Sequence, residues 1–351
     1  MTMPCCITAP GSNAHCNGSG GYHQDGVRLI IQQKNNTAIA FGPVPSRRLG
    51  RSLGINNIPP KSCSYSCLYC QVGTTQGQII DPRVFYAPET VVQQVRRQLE
   101  KIRGNNQAVD YLTFVPDGEP TLDVNLGRAI DLLRPLGIPV AVISNASLLW
   151  QQDVRVALGK ADWVSLKVDS VNSAVWKQLN RPHHALHIDE VMEGVRSFAR
   201  EYQGELVTET MLISGINDRD EDLEAVAGFL VDSGISSNYL SIPTRPTAES
   251  GLQPPDEATL NRCYQTMAAV LPRVEYLTGY EGDAFAFSGD AGKDLLSITA
   301  VHPMRKSAVD ALLKRANADW TVVEKLLADN ELKQVDYQGE HFFVRRYHTA
   351  G

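Results

Sequence analysis

The 351-residue sequence has no apolar run approaching the roughly 18 residues that a membrane-spanning helix needs. Its first 25 residues hold no charged segment followed by an apolar one, so no secretory signal is expected. Basic charge is not in excess: 33 Lys and Arg face 39 Asp and Glu, a net charge of −6. Binding of polyanions rests on clustered Lys and Arg, so this balance argues against a generic polyanion binder. Cysteine is sparse, and its count of seven is odd. That excludes a simple disulfide framework and fits a reducing, cytoplasmic setting. What is plentiful is apolar material, 43% of residues against 21% charged, enough for a full core and against wholesale disorder.

The length is that of about two domains. Residues 1–37 mix Gly, Ser, Asn, Cys and His without hydrophobic period and read as a disordered tail. Cys5, Cys6 and Cys16, with His15, fall within it. From about Ile39, short apolar runs alternate with amphipathic ones. Strands are expected at Leu53–Ile58, Tyr111–Val115, Val140–Ser144, Trp163–Asp169, Leu206–Ile213 and Tyr239–Ile242. Helices are expected at Thr90–Arg103, Leu126–Leu136, Asp153–Leu158, Ile188–Tyr202, Glu221–Ser233 and Pro255–Leu271. Six β–α units in series imply a parallel sheet with right-handed crossovers.

In Trp163–Asp169, Val164, Leu166 and Val168 alternate with Ser165, Lys167 and Asp169. A doubly wound sheet wants both faces apolar. One polar face suits a barrel whose lumen holds a polar ligand. The expected fold is therefore α/β, a partial (β/α)6 TIM-like barrel over residues 38–287, with its site in the loops after the strands.

Residues 288–351 read as a separate winged-helix-like α+β module. Helices at Ser307–Arg315 and Asp319–Ala328 precede strands at Leu332–Asp336 and His341–Arg345, which flank a Gln338-Gly339 turn. Residues 290–351 carry nine basic and nine acidic side chains, and the stretch Asp319–Asp329 around the second helix has three acids against one Lys. A recognition helix brings Arg or Lys to DNA, so packing or protein binding is expected there, not duplex DNA.

The loop after the first strand reads Cys63-Ser-Tyr-Ser-Cys67-Leu-Tyr69-Cys70. Thiolates at this C-x3-C-x2-C spacing bind soft metal, either zinc or an iron–sulfur cluster. Structural zinc and ferredoxin-type clusters both take four protein ligands. Here there are three, and the next cysteine, Cys263, stands alone in a helix. Three thiolates leave one iron of a [4Fe–4S] cube open to a small molecule.

With an aromatic, Tyr69, before the last cysteine, this loop resembles the signature of the radical S-adenosylmethionine (SAM) superfamily. Asp117-Gly118-Glu119-Pro120-Thr121 resembles that family's Gly-Gly-Glu-Pro turn, Asp117 departing from it. Ser144-Asn145-Ala146 is similar to its Ser/Thr-Asn-Gly, Ala146 departing. Ile213-Ser-Gly215-Ile-Asn217-Asp218 is similar to its adenine-side segment. Gly42 to Gly50, with Arg181-Pro182-His183, resembles an uncharacterised Fe–S oxidoreductase group similar to wyosine-tRNA synthases.

The resemblance implies that Cys63, Cys67 and Cys70 ligate a [4Fe–4S] cluster. It implies that SAM completes the cluster and is cleaved to a 5′-deoxyadenosyl radical that takes hydrogen from a substrate. Tyr69, Gly118, Glu119, Pro120, Asn145, Lys167, Asp169, Ile213 and Gly215 are the implied cofactor contacts. Arg47, Arg181 and Arg245 are the candidates for substrate. A one-electron donor of flavodoxin or ferredoxin type is implied, and RNA, peptide and protein substrates are all open. The competing hypothesis is a regulatory protein, its iron–sulfur or zinc site sensing redox state or metal and its winged helix reporting it.

Overall fold

The computed structural model describes residues 38–346, apart from 76, 106, 278–284 and 286–288. The expected tail, with Cys5, Cys6 and Cys16, lies outside the described residues.

The described chain opens with a hairpin, β1 (Ala40–Ser46) and β2 (Gly50–Ile55). It continues through α1 (Pro88–Gly104), β3 (Tyr111–Phe114), α2 (Leu126–Leu133), β4 (Val140–Ser144), α3 (Gln152–Leu158) and β5 (Trp163–Lys167). Then come α4 (Ser173–Asn180), α5 (Ile188–Glu201), β6 (Glu205–Met211), α6 (Asp220–Asp232), β7 (Ser237–Ser241), α7 (Glu257–Ala268) and β8 (Arg273–Leu277). The strands form one sheet in sequence order, β2 to β8 parallel and β1 antiparallel to β2 at the edge.

The helices follow local rules. Pro88 opens α1, Glu89 lies in its first turn, and Lys101 and Arg103 lie in its last, each matching the helix dipole. Its stripe of Val91, Val92, Val95, Leu99 and Ile102 is buried against the sheet's outer face. Asn172 caps α4 by accepting from the amides of Ala174 and Val175 at 2.9 and 3.3 Å.

The sheet curls on its inner face. Leu49, Ala141, Trp163, Val207, Tyr239 and Leu277 form one buried cluster, though they come from the hairpin turn and from β4, β5, β6, β7 and β8. The Arg47 guanidinium donates to the Leu277 carbonyl at 2.7 Å and so links the hairpin turn to the last strand. Among the described residues no ladder joins β1 to β8, so the barrel is partial. In β5 and just beyond it, Val164, Leu166 and Val168 enter the helix-side core. Trp163 enters the inner cluster, and Lys167 faces the polar cavity above it.

Several elements differ from expectation. The six expected parallel strands become seven with β8, and the hairpin strand β1 is added. Pro43 and Pro45 removed β1 from the sequence reading, yet an edge strand tolerates them. The first parallel strand ends at Ile55 and not at Ile58. Helix α4 was not expected.

The C-terminal part contains α8 (Ala291–Val301), β9 (Met304–Arg305), α9 (Lys306–Arg315), α10 (Thr321–Ala328), β10 (Leu332–Tyr337) and β11 (Glu340–Arg345). Its antiparallel sheet has the order β10-β11-β9. A third helix and a short strand thus join the two helices and hairpin read from sequence. This part has its own core, built on Phe285, Leu295, Ile298, Leu312, Val323 and Phe343, and Val44 of β1 packs against it. Tyr337 also donates to the Pro243 carbonyl at 3.2 Å, which brings β10 to the loop after β7. Among the described residues, no helix is long and apolar enough to cross a membrane.

Candidate functional site

A cavity of about 370 Å³ opens where β2 to β7 end, the face on which parallel barrels carry their sites. Cys63, Cys67, Tyr69 and Cys70 form one wall, and Gly118, Glu119, Asn145 and Lys167 another. Arg47 and Arg245 also line it. Pro120, Asp169, Ile213 and Gly215 lie outside its lining, as does Arg181.

The cysteine loop is held by backbone contacts. Ile79 N–H donates to the Cys63 carbonyl at 3.0 Å, and Glu119 N–H donates to the Ser62 carbonyl at 2.9 Å. Gly118 permits that second contact: a Cβ there would sit 1.9 Å from the Ser62 oxygen. Burial pushes the Cys63 thiol well up, and the neighbouring Cys67 adds to it. Burial, then Cys70 and Asp169, push Cys67 up to about 12. Burial also raises Cys70, against the pull of Lys61. Three sulfurs packed this way form thiolates only against compensating positive charge, which soft metal supplies. Among the described residues, no three His, Cys, Asp or Glu side chains are grouped to hold a single metal ion. A cube gives each thiolate its own iron and needs no such shared point. Cys263, buried on α7, is not part of the cavity wall. The donor set therefore fits a cluster that would take three protein ligands from Cys63, Cys67 and Cys70 and leave one iron without a protein ligand.

Glu119 is 1% exposed. Its Oε1 accepts from Thr121 N, Thr121 Oγ1 and Ser144 Oγ at 3.1, 2.6 and 2.8 Å. Its Oε2 accepts from Asn145 N at 2.7 Å. Burial raises its pKa, and these donors oppose the rise. The carboxylate joins the loop after β3 to the end of β4, and Oε2, with the Asn145 amide as its one protein donor, keeps acceptor capacity. Asn145 Nδ2 reaches Ser64 Oγ at 3.0 Å and Cys63 Sγ at 3.6 Å. Ala146 takes φ 64°, a left-handed conformation that explains why the related pattern has Gly there.

Below the cavity lies a buried ionic network. Lys167 Nζ is 3.4 Å from Asp169 Oδ1 and 3.2 Å from Glu209 Oε1. Arg48 Nη1 donates to Glu209 Oε2 at 2.6 Å and to Ser165 Oγ at 3.3 Å. Ser241 Oγ donates to Glu209 Oε1 at 2.8 Å. Burial alone would lower Lys167, but Asp169 and Glu209 outweigh it and leave its pKa raised. Burial alone would raise Glu209, but Lys167 and Arg48 bring it down to about 2. Both groups are therefore charged at neutral pH, and a fixed ammonium faces the cavity.

Asp169 acts from behind the wall. Its carboxylate accepts from the Tyr69 hydroxyl, from Asn180 Nδ2 at 2.7 Å and from Met211 N at 2.8 Å. Ile213 is buried in an apolar cluster with Leu68, Leu179 and Met211. Gly215, at φ 72°, donates its N–H to the Asp218 carboxylate at 3.0 Å. Arg181 pairs with Glu249 at 3.0 Å, away from the cavity.

Sequence reasoning missed Glu209, Asn180 and His302. Glu209 was legible only with the register of β6, where Val207 and Glu209 share the inner face. Asn180 required α4. His302 comes from the C-terminal part and lines the cavity beside Arg245. Burial, with Arg245 adding to it, lowers its pKa well below the ordinary value.

Known proteins are similar to this chain in sequence and in fold. The model of the radical SAM superfamily matches residues 57–229. The UPF0026 protein MJ1312 of Methanocaldococcus jannaschii is 42% identical over 309 residues, 88% of this chain and 96% of that one. A radical SAM methyltransferase from Sphaerobacter thermophilus has the same fold, with TM-score 0.50 at 18% identity over 64% of this chain and 66% of that one. A structure of TYW1 with a lysine–pyruvate adduct bound gives TM-score 0.49 at 13% identity, over 63% of this chain and 74% of that one. Members of the superfamily bind a [4Fe–4S] cluster and SAM, the two groups that the donor set and the cavity fit. The chain belongs to the UPF0026 family and is an enzyme of the radical SAM superfamily.

Proposed function

We propose that this chain reductively cleaves SAM and uses the fragment to abstract hydrogen from a substrate. Cys63, Cys67 and Cys70 would hold the cluster. When bound, the cluster supplies one electron that splits the S–C5′ bond of SAM, giving methionine and a 5′-deoxyadenosyl radical. A flavodoxin- or ferredoxin-type protein is the proposed source of that electron. Glu119 Oε2 would accept from the SAM ammonium. Asn145 and the Lys167 ammonium would face its carboxylate. Asp169 and Glu209 hold Lys167 in place, so its charge is aimed before SAM arrives.

The proposed substrate end is the part of the cavity next to Gln71, which follows Cys70 and accepts from Arg245 Nη1 at 3.2 Å. Arg245 and His302 meet there, the second supplied by the C-terminal part. That part would therefore help to exclude water from a reactive primary radical rather than act as a distant reporter.

The observation that carries the proposal is the meeting of three cysteines, the Glu119–Asn145 turn and the Lys167 ammonium on one cavity. The test is anaerobic reconstitution with iron and sulfide, followed by dithionite and SAM. Formation of 5′-deoxyadenosine and methionine is expected, and Cys67→Ala should abolish both. A fully loaded protein that leaves SAM intact would overturn the proposal.

A further inference from the structure

We propose that Asn180 is a positioning residue that sets the reduction potential of the cluster by donating its side-chain amide to Cys67 Sγ. The inference rests on reading Cys67 as a cluster ligand.

Asn180 ends α4 and is 2% exposed. Its Nδ2 lies 3.6 Å from Cys67 Sγ, 3.1 Å from the Tyr69 hydroxyl and 2.7 Å from Asp169 Oδ2. Tyr69 donates to that same Asp169 oxygen, so amide, phenol and carboxylate fix one another.

The backbone around Asn180 is strapped to the cysteine loop. Ser66 N–H reaches the Asn180 and Arg181 carbonyls, each at 3.1 Å. Leu68 N–H donates to the Leu179 carbonyl at 2.9 Å, and His183 N–H donates to the Ser64 carbonyl at 2.9 Å. Tyr65 and Pro182 form a β-bridge, and Trp176 Nε1 donates to the Tyr65 hydroxyl at 3.2 Å. The turn that aligns these groups needs Arg181 at φ 43°. Arg181-Pro182-His183 therefore has a structural role, clamping the loop that carries the sulfurs.

An N–H aimed at a ligating sulfur stabilises the reduced cluster more than the oxidised one, because reduction adds negative charge. Losing that donor drives the potential negative. Asn180 does not line the cavity, whereas Asn145, the donor to Cys63, does. A change at Asn180 should therefore move the potential while removing no side chain from the cavity lining.

The test is an EPR-monitored redox titration of reconstituted wild type and Asn180→Ala, with iron content and Tm measured alongside. A more negative midpoint is expected at unchanged iron per chain. If Asn180→Ala loses iron, Asn180→Leu, which fills the volume without an N–H, makes the comparison. An unchanged midpoint in a loaded variant, or iron lost from both, overturns the role of Asn180. A wild-type chain that takes up no iron instead overturns the cluster reading beneath it.

Discussion

Tyr69, one residue before Cys70, donates its hydroxyl to Asp169, two residues beyond the end of β5. This bond spans 100 residues of sequence and ties the cysteine loop to the centre of the sheet. It also explains the aromatic in the cysteine motif: the ring reaches over the loop, with Lys167 Nζ 4.9 Å from its centroid.

Removing the acceptor should be worse than removing the donor. Asp169→Ala takes the carboxylate acceptor from the Tyr69 hydroxyl, from Asn180 Nδ2 and from Met211 N, and removes one carboxylate from Lys167. A loss of about 3 kcal/mol is expected by chemical denaturation. Tyr69→Phe should lose only about 1 kcal/mol. Equal effects would contradict the network.

Gly118→Ala should block cluster incorporation. The new Cβ meets backbone at 1.9 Å, and backbone cannot move aside as a flexible side chain does. Gly228→Ala is the control, because a Cβ there meets nothing within 4 Å. Iron per chain after reconstitution should fall only in the first.

Glu209 gives the protein an acid limb. Its folded pKa of about 2 lies below the ordinary 4.5, so its contribution is full above pH 4.5 and is lost as pH falls through about 2. Glu209→Gln should cost about 3 kcal/mol at pH 7, since Lys167 and Arg48 lose a shared partner. The gap between wild type and variant, read from denaturation at several pH values, should close over that acid range.

His302 acts with the opposite charge. Its folded pKa lies well below the ordinary 6.5, so the unfolded chain binds the extra proton and stability falls as pH drops below 6.5. The slope approaches ~1.4 kcal/mol per pH unit. NMR should show an imidazole that does not titrate between pH 6 and 8, and His302→Leu should remove the slope.

The repeating β–α order and the polar face of β5 were legible because alternation in Trp163–Asp169 is strong. Strand β1 was hidden by Pro43 and Pro45. Helix α4, eight residues ending at an Arg-Pro turn, was too short to show a period. Strand β8 was missed because Arg273 and Glu275 interrupt its apolar character at a sheet edge. The cysteines were legible as soft-metal ligands from their spacing, and Glu119 and Asn145 were singled out only through the family resemblance; all of them line one cavity. Glu209 and His302 were not legible, because only tertiary folding brings β6 and the segment after α8 to the same cavity. Arg181 stood out by charge and neighbours, yet folding turns it toward Glu249.

The most direct measurement is metal analysis joined to EPR of the dithionite-reduced protein, with and without SAM. Four irons per chain are expected, with a cluster signal that changes when SAM binds and a loss of both in Cys67→Ala. One zinc without iron, or a cluster signal indifferent to SAM, would contradict the account.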